Sequence, residues 1–130
     1  MKLKTIIREA TEKTPAIHFD EAKGLISIKG KSIPEHTGEF YKALQEWIEE
    51  YEKNPQHKTN VEIQLEYYNT SSSKALMDIF RKLEAIHKNG HDMVVNWYYE
   101  EDDEDMFESG EDHDSMIDIP FKIISVPVED

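Results

Sequence analysis

The stretch Tyr67-Tyr68-Asn69-Thr70-Ser71-Ser72-Ser73-Lys74 joins two segments of different period, and its reading decides the fold. Upstream, Val61, Ile63, Leu65 and Tyr67 alternate with Glu62, Gln64, Glu66 and Tyr68, as in a strand with one buried face. Downstream, Leu76, Ile79, Phe80, Leu83 and Ile86 recur three or four apart, with Lys74, Asp78, Arg81 and Lys82 on the other side, as in an amphipathic helix. The period changes from about 2 to about 3.6 between Asn69 and Ser73, so this is a strand-to-helix turn with hydroxyls at its tip.

A helix start leaves backbone N–H groups without intrahelical partners, and Asn, Ser and Thr side chains accept from them. Thr70 or Ser71 therefore reads as an N-cap. Capping uses one such residue, whereas this turn supplies Asn69, Thr70, Ser71, Ser72 and Ser73 in succession. The same N–H groups and the positive end of the helix dipole favour an anion, including a phosphate attached to a hydroxyl. The surplus of hydroxyls marks a candidate phosphoacceptor site.

Working outward, Leu3 to Glu9 reads as an entry strand, and Ala16–Asp20 and Leu25–Lys29 as two alternating strands across a tight turn, an antiparallel hairpin. Gly30 to Glu35 is punctuation before a helix, with Ser32 or Ile33 near the cap and Pro34 in the first turn. The stripe Phe40, Leu44, Trp47, Ile48 and Tyr51 gives that helix its core face, and Asn54-Pro55 ends it. After the central strand and second helix, Asn89-Gly90 is a stop. Met93 to Tyr99 is nearly continuous apolar sequence, as in an interior strand of a parallel sheet. Glu100 to Asp114 is strongly acidic, and Met106, Phe107, Met116 and Ile117 predict short helical pieces that dock weakly. Phe121, Ile123, Ile124 and Val126 form a last strand, stopped by Pro127. The order predicts an α/β fold: a mixed sheet with an N-terminal antiparallel hairpin and helices mainly packed on one face, because successive right-handed crossovers in one direction share a side.

With 130 residues the chain reads as one domain, 1–130, able to bury roughly two-thirds of its unfolded surface. It has no cysteine, hence no disulfide framework or thiolate nucleophile. The N-terminus lacks a signal-peptide apolar run and no segment is long enough to span a bilayer, so a cytoplasmic protein is expected. Fifteen Lys and Arg against 28 Asp and Glu give a net charge of −13, which repels nucleic acid and anionic membranes and suits a basic protein partner.

Asp102, Asp103, Glu104 and Asp105 raise the alternative of an acidic divalent-metal-binding domain, but the EF-hand spacing fails: a loop opening at Asp105 puts Phe107 third, and one opening at Asp103 leaves Glu108 where glycine belongs. A solvated face, or a general protein-interaction surface without phosphoswitching, is the other alternative. No Gly-x-Ser-x-Gly elbow, phosphate-binding glycine loop or His-Glu-x-x-His motif is present, and the six histidines are dispersed, so neither an enzyme nor a cofactor is expected. Trp97, Tyr98 and Tyr99 read as core aromatics in an apolar strand rather than as a base-stacking platform.

Thr14-Pro15, Phe19-Asp20, Gly30 to Glu35, Phe40-Tyr41, Tyr68 to Lys74, Trp97 to Met106 and Gly110-Glu111-Asp112 together resemble the SiaC family of bacterial regulatory phosphoproteins, in the family's order over nearly the whole chain. The resemblance implies a STAS-like domain in a partner-switching pathway like that of anti-sigma-factor antagonists. There a Ser/Thr protein kinase modifies the small protein, a PP2C-type phosphatase reverses this, and the state decides which partner is bound. The acceptor threonine of the family's Asn-Thr-Ser-Ser-Ser-Lys motif falls on Thr70. The effector implied is a diguanylate cyclase bound by the unphosphorylated form, in c-di-GMP and biofilm signalling.

If the strands after the hairpin are parallel, the ends of the Val61–Tyr68 and Met93–Tyr99 strands share an edge, which places Thr70 and the run Asp102, Asp103, Glu104 and Asp105 on one rim. Asn69, Ser71, Ser72, Ser73 and Lys74 are expected near the phosphate or a partner.

Overall fold

The computed structural model describes residues 3–128. Six strands form one mixed sheet in sequence order: β1 (Ile6–Arg8), β2 (Ala16–Asp20), β3 (Leu25–Ser32), β4 (Lys58–Tyr68), β5 (Asp92–Glu100) and β6 (Phe121–Val126). The β1–β2 and β2–β3 pairs are antiparallel, forming the expected N-terminal hairpin. Its turn needs Gly24: φ is +60°, and an added Cβ would sit 2.5 Å from the Lys58 carbonyl oxygen. The β3–β4, β4–β5 and β5–β6 pairs are parallel. Helices α1 (Thr37–Tyr51), α2 (Thr70–Lys88) and α3 (Glu104–Met116) make the crossovers.

Each crossover steps to the next strand in the same direction, so all three helices cover one face, as right-handed connections require. Ile17, Phe19, Ile26, Ile28, Val61, Ile63, Val95 and Trp97 meet Leu44, Trp47, Ile48, Leu76, Ile79, Phe80 and Leu83 in one core. The opposite face carries half-buried His18, Ser27, Asn60, Glu62, Asn96 and Tyr98. One covered face explains the alternation in β4.

Several features differ from expectation. The entry strand is confined to Ile6–Arg8. Helix α1 starts at Thr37 with His36 as its N-cap, because Ser32 still belongs to β3 and is fully buried there. It ends at Tyr51, ahead of Asn54-Pro55. The acidic segment forms one 13-residue helix rather than short pieces, and its Met106, Gly110 and His113 are buried. Strand β5 is interior in order, yet only one of its faces is covered, so Val94, Asn96 and Tyr98 are half-buried on the open side.

A further difference lies at the decisive turn. The β3–β4 register shifts, pairing Gly30 with Leu65 but Lys31 with Tyr67, so β4 carries one extra residue, Glu66, and Gly30 has φ +125°. The bulge inverts the alternation beyond it. Tyr67, expected inward, is 56 % exposed, whereas Tyr68 turns toward the core and meets Trp97 edge-on with centroids 6.3 Å apart.

Candidate functional site

Successive residues of a helix point about 100° apart, so consecutive hydroxyls at its start cannot share one surface. Asn69 is the N-cap of α2: its Oδ1 accepts from the Ser72 N–H at 2.9 Å. This takes the capping role expected of Thr70 or Ser71 and leaves their hydroxyls for other uses.

Ser72 falls on the buried stripe that continues through Leu76, Ile79, Leu83 and Ile86. Its hydroxyl donates to the Ser32 carbonyl at 2.9 Å and accepts from Ser32 Oγ at 2.9 Å. Tyr41 OH lies 2.5 Å from Ser32 Oγ and completes the chain as donor. Burial raises the Tyr41 pKa, opposed by its hydrogen bonds to Ser32 and Ser72, so the phenol stays protonated near neutral pH. The Ser32 carbonyl also accepts the Asn69 N–H at 3.1 Å. The end of β3, helix α1 and the start of α2 are thus tied together by a buried hydroxyl relay. Ser72, expected near the phosphate or a partner, is sealed in the core at 0 % exposure, out of a partner's reach.

Ser71 and Lys74 face α1. Thr37 Oγ1 lies 2.8 Å from Ser71 Oγ, which donates to Asn69 Oδ1 at 3.2 Å. A groove of about 410 Å³ here is lined in part by Thr37, Lys42, Ser71, Lys74 and Asp78.

Thr70 and Ser73 face α3. Thr70 is exposed and lines a cleft of about 530 Å³ with Glu66, Tyr67, Tyr68, Asn69, Ser73, Asp103, Asp105, Met106 and Ser109. The expected rim is therefore present for Asp103 and Asp105. Asp102 and Glu104 line an adjoining hollow of about 410 Å³ with Glu100, Asp103 and Asp105. Lys74, expected near the phosphate or a partner, lies on the opposite flank and does not line the Thr70 cleft. Among the described residues no Lys or Arg lines that cleft.

The α3 wall of the cleft is set by local chemistry. Asp103 Oδ1 caps α3 by accepting the Met106 N–H at 3.0 Å, and Trp97 Nε1 donates to the Met106 carbonyl at 3.0 Å. Gly110 lets the helix approach: a Cβ there would lie 2.7 Å from Trp97 Cδ1. His113 stacks on Trp97 at 5.0 Å and its Nδ1 lies 2.8 Å from the Ser109 carbonyl oxygen. Burial lowers the His113 pKa, opposed by the Ser109 bond and the nearby Asp112. The Tyr68 phenol is raised above its ordinary value by burial, against a hydrogen bond to Ser109 that lowers it.

Sequence reasoning missed Tyr67 as a surface aromatic and Ser109 and Met106 as cleft residues. The signals were Gly30, which marks a bulge, and the Gly110 spacing within α3. Among the described residues no group of three or more His, Asp or Glu side chains converges as a metal site would, and no helix is long and apolar enough to cross a membrane.

A mixed six-stranded sheet with three helices on one face and a hydroxyl-rich turn at its rim defines a class of small α/β domain. This chain belongs to the SiaC family of regulatory phosphoproteins, which residues 8–126 match. It is 34% identical over 113 residues to an uncharacterised protein of Pseudomonas aeruginosa (strain UCBPP-PA14), covering 87% of this chain and 90% of that one. The crystal structure of apo-SiaC from Pseudomonas aeruginosa superposes with a TM-score of 0.85 at 32% identity, covering 93% of this chain and 98% of that one. A chain in the crystal structure of diguanylate cyclase SiaD in complex with its activator SiaC, from the same organism, gives a TM-score of 0.88 at 32% identity and coverage of 93% and 99%.

Proposed function

We propose that this protein is a non-enzymatic cytoplasmic switch. A Ser/Thr protein kinase phosphorylates Thr70, a PP2C-type phosphatase removes the phosphate, and the unphosphorylated form binds and activates a diguanylate cyclase. The observation that carries this reading is the position of Thr70: exposed, at the first turn of α2, relieved of capping by Asn69, and open to the cleft beside α3. Family membership and the likeness to the SiaC chain bound to SiaD support the effector class.

A phosphothreonine here carries roughly −1.5 to −2 charges. The unspent N–H groups of the first helical turn and the dipole favour it by about 0.3–1 kcal/mol. Asp103 and Asp105 oppose it, and no cation in the cleft wall neutralises it. The phosphate therefore remains solvated and legible to partners. At ~10 Å in water a unit-charge pair is worth only ~0.4 kcal/mol, so the switch acts through contact at the rim and not through the field of the whole molecule.

Incubation with the kinase of the same organism, followed by peptide mapping, tests the site. Phosphate is expected on Thr70 and incorporation is expected to vanish in Thr70→Ala. Phosphate on another residue, with full incorporation in that variant, contradicts the assignment.

A further inference from the structure

The bulge at Glu66 leaves a large aromatic side chain in water at the mouth of the Thr70 cleft: Tyr67 is 56 % exposed. Exposed aromatics beside a concave surface are the usual anchors of protein partners. The cleft behind Tyr67 has an apolar floor, with Met106 buried and Tyr68 half-buried, and a rim of Glu66, Asp103 and Asp105. The adjoining hollow shares Asp103 and Asp105 and adds Glu100, Asp102 and Glu104, extending the same sign of charge. The complementary occupant is cationic at its tip and apolar along its stem, the character of arginine laid across an aromatic ring.

Phosphate on Thr70 adds charge of the same sign as this rim. A cationic partner seated here therefore gains from phosphorylation, whereas an effector released by phosphorylation reads a different feature of the turn. Opposite responses assign the two surfaces to different partners.

We propose that Tyr67, the Tyr68–Met106 floor and the Glu66, Asp103 and Asp105 rim receive a cationic segment of the phosphatase, which binds this face more tightly when Thr70 carries phosphate. The proposal rests on the reading of Thr70 as the modified hydroxyl and adds to it the surface by which the modified form is found.

The test is steady-state dephosphorylation of the full chain, phosphorylated on Thr70, by the PP2C-type phosphatase of the same organism. Tyr67→Ala is expected to raise KM roughly 10-fold. The double variant Glu66→Gln with Asp105→Asn is expected to raise it about 3- to 10-fold, with kcat within about twofold in both. Added salt should raise KM for the unaltered protein and raise it less for the double variant. Each variant changes exposed atoms, and unchanged melting curves would establish that it is folded. An unchanged KM on folded, Thr70-phosphorylated substrate, or a KM that falls when the carboxylates are neutralised, overturns this surface and leaves the switch standing. Absence of phosphate on Thr70 after kinase treatment overturns both.

Discussion

Adjacent hydroxyls at one turn have opposite fates, and the helix period decides which. Ser72 lies four residues before Leu76 on the buried stripe, so its hydroxyl must find partners inside and does so with Ser32. Thr70 lies off that stripe and stays exposed. Ser72→Ala removes one partner of a fully buried network, so a loss of about 1–3 kcal/mol is expected in denaturant unfolding. Thr70→Ala is expected to cost less than ~0.5 kcal/mol. Equal costs would mean that the relay does not hold the turn. His113 adds a pH dependence. Burial lowers its folded pKa, so the unfolded chain binds more protons as pH falls below ~6.5, and acid favours unfolding. The stabilisation from a neutral His113 is complete above that pH and is lost on acidification. The fall in unfolding free energy between about pH 7.5 and 5.5 is therefore expected to be shallower in His113→Leu, and an identical slope would show that His113 does not contribute.

At the scale of elements, the strand-to-helix change at Asn69 and the parallel crossovers were legible because period and length agree for β4, α2 and β5. The bulge was not, because Glu66 continues an apparent alternation through Tyr67 and Tyr68. Gly30 hints at an irregularity, but only the pairing with β3 shows that β4 carries the extra residue. Helix α3 was hidden for another reason: its surface is so acidic that the narrow buried line Met106, Gly110 and His113 is easily overlooked. In a sequence Gly110 reads as a helix breaker, yet here it is the point of closest approach to Trp97. Gly110→Ala would drive a methyl group into the indole and push α3 outward, with an expected loss of about 1–3 kcal/mol. Because α3 forms one wall of the Thr70 cleft, the same variant is expected to alter tryptophan fluorescence. A neutral effect on both stability and fluorescence would show that the helix is not seated as described.

For the whole molecule, the one-sided sheet brings the ends of β4 and β5 to one rim, and there Thr70 and the α3 acidic cap meet. The rim was inferable from parallel topology, whereas the division of the turn into an acidic α3 flank and an α1 flank bearing Lys42 and Lys74 required coordinates, since it depends on the direction of each side chain. A net charge of −13 would make added phosphate a small change to the global field, so the proposed switch is one read by contact. A cyclase surface that covers Thr70 and brings no cation to it would desolvate the proposed phosphate unpaired, at a cost of roughly 3–5 kcal/mol. The most direct test is calorimetric titration of a purified diguanylate cyclase from the same organism with the unmodified and the Thr70-phosphorylated protein. The unmodified form is expected to bind and the phosphorylated form to bind ~10²-fold or more weakly, with Thr70→Ala like the former and Thr70→Glu shifted toward the latter. Equal affinity of the two forms would contradict the account.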